Sequence, residues 1–196
     1  HRDLGNFKQA VDYFTKSIEI NPREGEAYLA RGNTYLQLGE HGLAEADYTE
    51  AMRIGPEKGD PYYYRGLLYR QNGRYDEAVA DFTLAFDRYE TREVKARVLN
   101  ARGFSHSRLN DHIQAEADYT EAMHMDPRDT QSHMNRAYLY RLMNKTEEAV
   151  VDYDEVISQD PLNGEAFMGR GMSYHSLGNY RRAERDIQMS RYLRPS

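Results

Sequence analysis

Apolar, aromatic and small residues recur along this chain at the spacing of helices. Tyr28, Arg31, Gly32 and Tyr35 stand at i, i+3, i+4 and i+7, which places them on one face of a helix. Gly39 is expected to end that helix, because glycine readily adopts the left-handed conformation that follows many helix C-termini. The pattern therefore predicts a first helix that is closed by a tight turn.

A second helix is predicted directly after this turn. Ala44, Asp47, Tyr48 and Ala51 share one helical face. The helix should end before Gly55-Pro56, because proline disfavours the helical conformation of the residue that precedes it. Small residues on both helices allow the two backbones to approach closely, so the two helices are expected to form a hairpin.

This hairpin is one unit of an internal repeat. The segment from Ala44 to Met52 recurs letter for letter from Ala115 to Met123. Such an identity within one chain indicates a repeat array. Three independent markers keep one common step: helix-stopping prolines, which are missing from one repeat, arginines followed by a small residue, and alanines in the second helices. The prolines are Pro22, Pro56, Pro127, Pro161 and Pro195, and the arginines with their small neighbours are Arg31-Gly32, Arg65-Gly66, Arg102-Gly103, Arg136-Ala137 and Arg170-Gly171.

The order of aromatic and small residues from Tyr28 to Pro56 resembles the tetratricopeptide repeat, and the resemblance covers nearly the whole chain. It implies an all-α fold, a right-handed α-solenoid of eleven helices. Repeat 59–95 carries three extra residues. The expected organisation is the second helix of a truncated repeat in 1–24, followed by repeats in 25–58, 59–95, 96–129, 130–163 and 164–196.

Every repeat carries an arginine on the packing face of its first helix and an aspartate, always at the same separation from it, on its second helix. A charge that points into a helix–helix contact must be paired, because an unpaired buried ion is very costly. We therefore expect an arginine–aspartate ladder, within or between neighbouring repeats; a row of anion-binding arginines is the alternative. The ladder residues are Arg31, Arg65, Arg102, Arg136, Arg170, Asp47, Asp81, Asp118, Asp152 and Asp186.

The first helices also carry a second, partly apolar stripe. A stack of helix pairs places this stripe on the inner, concave wall, where apolar side chains mixed with Asn and Arg suit a peptide or a partner helix. The alternative is that much of the stripe packs adjacent first helices together. The candidate partner-binding residues are Leu29, Asn33, Tyr63, Leu67, Arg70, Asn100, Phe104, Met134, Asn135, Tyr138, Arg141, Met168, Met172 and His175.

Several classes of partner and site are disfavoured. Some tetratricopeptide proteins bind acidic chaperone C-termini through Lys and Asn on the inner wall, but the corresponding positions here lack that basic set, so a chaperone tail is not expected. A net charge of −6 disfavours nucleic acid, and the chain has no apolar run long enough for membrane insertion. With no cysteine and no histidine pair at i, i+4, we expect no metal, no cofactor and no catalytic residue.

The favoured hypothesis is therefore a non-enzymatic scaffold or adaptor, cytoplasmic, that binds a protein or peptide segment on its concave face. A second hypothesis is a self-assembly or spacer module that forms homo-oligomers through its open ends, the helices at 6–20 and 180–193. A third is a regulatory arm of a larger protein whose catalytic domain lies elsewhere.

Overall fold

The computed structural model describes residues 2–193, with side chains from residue 6 onward, and this part of the chain contains helices but no strand. It confirms the predicted all-α repeat fold with eleven helices. The helices are α1 (Arg2–Ile20), α2 (Gly25–Gln37), α3 (His41–Ile54), α4 (Asp60–Gln71), α5 (Tyr75–Arg88), α6 (Arg92–Arg108), α7 (His112–Met125), α8 (Thr130–Leu142), α9 (Thr146–Gln159), α10 (Gly164–Ser176) and α11 (Tyr180–Leu193).

The chain forms two compact units, His1–Val94 and Lys95–Ser196. In the first unit, α1 to α5 pack consecutively and α2 also contacts α4. In the second unit, α7 to α11 pack consecutively and α8 also contacts α10. Side-chain hydrogen bonds join α6 to α7 and α8 in that unit. Each unit is therefore a stack of antiparallel helix pairs.

Small residues hold the two helices of a pair close together. A Cβ added to Gly32 would lie 2.8 Å from the ring of Tyr48, which is itself fully buried. Ala44, on the same helix as Tyr48, is also fully buried. In the second unit Gly103 stands in the same relation to Tyr119, with 2.9 Å between its added Cβ and the ring. The core of these two pairs is thus an aromatic ring packed against a helix backbone.

The turns within the helix pairs use left-handed residues. Gly39 has a φ of 77°, and Glu40 N donates a 2.9 Å hydrogen bond to Tyr35 O across the end of α2. Asn110 and Asn144 occupy the matching turns with φ of 62° and 57°. Asparagine is the residue that most readily replaces glycine in this conformation, so the predicted closing turn is kept in all repeats.

The three inserted residues lengthen a first helix. α5 ends at Arg88 because Tyr89 is extended, with ψ of 144°. α6 then begins at Arg92 and has 17 residues, whereas α2 has 13. The Tyr89 ring covers Gly59, where an added Cβ would meet it at 2.9 Å. The insertion is therefore absorbed by a short linker and by an additional turn of helix.

Candidate functional site

The arginine on each first helix forms a forked ion pair with the aspartate on the second helix of the same repeat. In the first unit Arg31 donates from Nε and Nη2 to the two carboxylate oxygens of Asp47, both at 2.8 Å. Arg65 donates in the same way, from Nε and Nη2 to the two carboxylate oxygens of Asp81, at 2.7 and 2.8 Å. Of the two arrangements left open by the sequence, within one repeat or between repeats, the carboxylate pairing is within one repeat.

The second unit contains three further pairs with the same geometry. They are Arg102–Asp118, Arg136–Asp152 and Arg170–Asp186, with donor–acceptor distances between 2.7 and 2.9 Å. The five aspartate side chains are only 3–8% exposed and the arginine side chains 17–20%. Because a buried carboxylate fills each fork, we assign these arginines to the packing of the repeats and not to a row of anion sites.

The same guanidinium groups also reach the preceding repeat. Nη1 of Arg31 donates to the hydroxyl of Thr15 at 3.1 Å, and Nη1 of Arg65 donates to Thr49 at 3.0 Å. Arg136 contacts Thr120 in this way, and Arg170 contacts the carboxylate of Asp154 at 2.6 Å. Sequence reasoning missed these acceptors, although each precedes its arginine by the same separation that the ladder aspartate follows it. Each of these four arginines therefore joins two repeats.

A second polar contact between repeats is made by the glutamate of each of the two identical segments. Glu45 accepts a 2.8 Å hydrogen bond from Tyr69 in the next repeat and forms an ion pair with Arg74 of that repeat. In the second unit, Glu116 receives the same contacts, at 3.0 Å each, from Tyr140 and Lys145, with identical sequence separations. Burial, together with the hydrogen bond to glutamate, raises the pKa of Tyr69 and that of Tyr140 to about 12. The glutamates of the two identical segments thus make equivalent contacts with the next repeat.

In the first unit, residues of the inner stripe are partly engaged in contacts within the protein. Leu29 is 7% exposed and belongs to the core around Tyr48. Asn33 accepts a 2.8 Å hydrogen bond from the Tyr48 hydroxyl. Tyr63 is half-buried, 5.9 Å from the Phe82 ring. Leu67 and Arg70 are also half-buried. Leu29 in particular is buried and packs in the core.

In the second unit, the inner stripe forms a groove. The groove has a volume of about 1120 Å³ and is lined by α6, α8 and α10, with contributions from α7, α9 and α11. Half of the fourteen candidate residues lie in its lining: Phe104, Met134, Asn135, Tyr138, Arg141, Met168 and Met172.

Two further candidates of this unit lie outside the lining. Asn100 accepts a hydrogen bond from Asn135 and so supports the groove wall. His175 is exposed and packs edge-on against Tyr180, with 5.2 Å between the ring centroids. It therefore belongs to the contact between α10 and α11.

The groove exposes large apolar side chains. Tyr138 is 56% exposed, Met172 44% and Phe104 37%. Met134 and Met168 are half-buried in the same lining. A cluster of large apolar groups in a concavity, next to polar groups, is typical of a binding surface, and flexible methionines allow such a surface to adapt to a ligand.

A close approach between two repeats shapes this groove. Gly169 and Tyr153 both line it, and a Cβ at Gly169 would lie 2.6 Å from the Tyr153 hydroxyl oxygen. The matching positions in other repeats carry larger residues, such as Tyr64 and Asn135. Gly169 was not among the predicted site residues. The available signal was the loss of a side chain at a position where other repeats have one.

The groove lining also carries charge. Arg108, Arg141 and Glu165 contribute to it. Nη2 of Arg141 lies 3.6 Å from the sulfur of Met172, and Arg141 also interacts with the Tyr153 hydroxyl. Burial raises the pKa of Tyr153, and the nearby Arg141 opposes this rise without cancelling it. Only Arg141 of these charged residues was among the predicted site residues.

Models of the tetratricopeptide repeat match residues 1–59, 59–92 and 130–161 of the chain. The chain belongs to the tetratricopeptide repeat family. This family and the repeat fold support a protein–protein interaction scaffold as its class of function. Among the described residues, no group of three His, Cys, Asp or Glu side chains is placed to hold a metal ion. Nor does that part of the chain contain a helix long and apolar enough to cross a membrane.

Known tetratricopeptide proteins resemble the chain in sequence or in structure. Human tetratricopeptide repeat protein 6 is 41% identical over 39 residues, a match that spans 20% of this chain and 8% of that protein. YrrB, described as a TPR protein with an unusual peptide-binding site, is 23% identical, with a TM-score of 0.74 and 93% of each chain covered. BtubC from P. vanneervenii is 19% identical, with a TM-score of 0.83 over 98% of this chain and 89% of that one. These structural likenesses show the fold.

Proposed function

We propose that this tetratricopeptide protein is a non-enzymatic scaffold that binds a segment of a partner protein in the groove lined by α6, α8 and α10. The observation that carries the proposal is the exposure of Phe104, Tyr138 and Met172 in one concavity. A few large, desolvated anchors supply most of the energy of a typical interface. The groove presents such anchors side by side, on rigid helices.

Polar groups at the groove set the register of the bound segment in this proposal. Asn135 lines the groove and keeps unused hydrogen-bonding capacity, since each amide carries two donors and two acceptor lone pairs. Arg141 provides a cation beside the apolar anchors. Apolar anchors with a small number of placed polar groups give affinity and specificity together.

The test compares selection of peptides from a displayed library of random 12-residue segments by the parent chain and by a Phe104→Ala/Tyr138→Ala variant. The parent should enrich a defined set of peptides, and the variant should lose them, because it lacks both anchors. The matched control is Ile113→Ala/Val151→Ala, which removes two exposed apolar side chains that do not line the groove. Helical content and the urea midpoint check that each variant is folded. Equal enrichment by parent and groove variant would refute the proposal.

A second candidate function, self-assembly, is favoured by a separate surface. On α11, Tyr192 is 84% exposed, Tyr180 65% and Met189 42%. In this proposal, α11 of one copy packs against another copy. Sedimentation equilibrium should then show an oligomer for the parent chain and a monomer for the Tyr192→Lys/Met189→Lys variant. A parent chain that stays monomeric over a 100-fold range of concentration would rule this function out.

A further inference from the structure

Arg141 differs from the ladder arginines in its partners. Each ladder arginine binds two carboxylate oxygens, whereas no carboxylate lies within ion-pair distance of Arg141 in the part of the chain that the structure describes. Its contacts are the sulfur of Met172 and the hydroxyl of Tyr153, which are neutral acceptors. A half-buried guanidinium with neutral partners gains more from a carboxylate than a fully hydrated one does, because charge-assisted hydrogen bonds are stronger in a less polar environment.

The charge around Arg141 favours an acidic ligand. The groove lining contains two cations, Arg108 and Arg141, and one anion, Glu165. The chain as a whole carries a net charge of −6. The groove is therefore locally more positive than the rest of the protein, and electrostatic complementarity selects for segments of opposite charge.

The hydrogen-bonding groups of the groove favour an extended ligand. Gln131 donates to Asn135 at 3.0 Å, and Asn135 in turn donates to Asn100, so a chain of amides runs from α8 to α6. Such amides can bond the backbone groups of an extended segment, whereas a helix has already satisfied its own backbone. Three neighbouring helices with axes 8–10 Å apart span roughly 20 Å, which corresponds to about six residues of extended chain at ~3.3 Å each.

We propose that the groove binds an extended acidic segment, and that Arg141 recognises one Asp or Glu side chain of that segment while apolar side chains on either side of it contact Phe104, Tyr138 and Met172. This proposal rests on the proposed function and adds the chemistry of the ligand. Arg141 is then the residue that determines specificity, and the apolar anchors supply general affinity.

The experiment screens a positional library of eight-residue peptides, acetylated and amidated so that their only carboxylates are side chains, against the full 196-residue chain. The parent should prefer Asp or Glu at one position. Arg141→Glu should prefer Lys or Arg at that position and bind the best acidic peptide roughly tenfold to a hundredfold more weakly, since a hydrogen bond to a charged group is worth about 1.5–3 kcal/mol. Arg141→Lys should keep the acidic preference.

The matched control is Arg181→Glu, which reverses the charge of an exposed arginine in the same unit outside the groove lining. It should leave the preference unchanged. Peptides that need Phe104 and Tyr138 but show no acidic preference would overturn this inference and leave the proposed function standing. Binding only by peptides with a free C-terminus would show that a terminal carboxylate is recognised, and would overturn it as well. If no peptide binds, or if binding ignores the Phe104→Ala/Tyr138→Ala change, the proposed function fails together with the inference.

Discussion

At the scale of single residues, the ladder arginines show how one side chain can serve two interfaces. The guanidinium of Arg136 donates two hydrogen bonds to Asp152 in its own repeat and a third to Thr120 in the repeat before it. Five donors in a fixed plane make this possible, whereas a lysine in the same place would be a point charge. Asp152 thus neutralises the charge of Arg136 within the repeat, and a further donor of the same guanidinium binds Thr120 in the preceding repeat.

Removing one carboxylate tests this arrangement. Asp118→Ala removes the carboxylate that pairs with Arg102, whose side chain is only 19% exposed. We expect the free energy of unfolding to fall by ~3 kcal/mol, the lower end of the range for breaking a buried pair, because the guanidinium can partly rehydrate. Urea denaturation measures the change. Glu121→Ala, an exposed change on the same helix, should stay within about 0.5 kcal/mol of the parent. Equal midpoints for both variants would contradict the structural role of the ladder.

A second prediction concerns acid. Burial alone would raise the pKa of Asp152, but hydrogen bonds from Arg136 and His133 outweigh it and lower the pKa below its usual value of 3.8. A carboxylate with a lowered pKa contributes stability above the pKa of the unfolded chain, and this contribution is lost as the pH falls through the folded-state pKa.

The comparison is between the His133→Phe variant and the His133→Phe/Asp152→Asn double variant. The phenylalanine, which the next repeat carries at Phe167, removes the second hydrogen-bond partner of Asp152 and leaves Arg136. The difference in unfolding free energy between the two proteins should be constant from pH 7 to 5 and shrink below about pH 4. Urea midpoints at each pH measure it. A difference that persists unchanged to pH 2.5 would show that folding does not lower the pKa of Asp152.

At the scale of elements, the contact between α9 and α10 depends on one absent side chain. Tyr153 shares a core cluster with Ala137, so the Cβ of Ala137 occupies the position where other repeats have glycine. On the other side of the ring, Gly169 leaves the space into which Tyr153 leans. The Tyr153 ring is thus accommodated by two departures from the other repeats: α8 carries Ala137 where they have glycine, and α10 carries Gly169 where they have a larger residue.

Gly169→Ala should therefore destabilise the protein. The new Cβ would overlap the Tyr153 ring, and Ala137 prevents the ring from moving back, so we expect a loss of ~1–3 kcal/mol, typical of overpacking in a core. Gly42→Ala is the matched control, since a Cβ there meets nothing within 4 Å and alanine favours the helix by up to about 1 kcal/mol. Urea denaturation should show a lower free energy of unfolding for Gly169→Ala and a higher one for Gly42→Ala. An unchanged free energy of unfolding in Gly169→Ala would show that the Tyr153 ring can move away from the new Cβ.

The sequence predicted these elements well because their signals are local. Helix positions, the closing turns and the pairing of Arg31 with Asp47 follow from a spacing that repeats along the chain. The second contact of Arg31, to Thr15, was missed because threonine is common on exposed helix faces and carries no charge that demands a partner. Likewise the role of Glu45 depends on Tyr69 in the next repeat, and nothing in either residue alone indicates the other.

At the scale of the whole molecule, the contacts within each unit run between neighbouring helices. In an array of this kind stability is approximately a sum of repeat terms and nearest-neighbour interface terms, so a local defect should have a local effect.

Hydrogen exchange followed by mass spectrometry tests this expectation. Asp47→Ala should increase amide exchange mainly in α2 to α4, because its partner Arg31 and their neighbours lie there, and should leave α8 to α10 protected. Asp152→Ala should produce the opposite pattern. A uniform loss of protection along the chain in both variants would show a single cooperative structure in which the repeats do not act as separate terms.

The sequence by itself determined the fold class, the number of helices and the phase of the repeat, because one period marked by proline, glycine and paired charges recurs often enough to be unambiguous. Only the tertiary structure decided which residues of the inner stripe are accessible. Leu29 and Tyr138 belong to the same predicted stripe, yet Leu29 is 7% exposed and Tyr138 is 56% exposed. Exposure depends on side chains that neighbouring helices bring from distant parts of the chain, and the periodicity of a single helix does not contain that information.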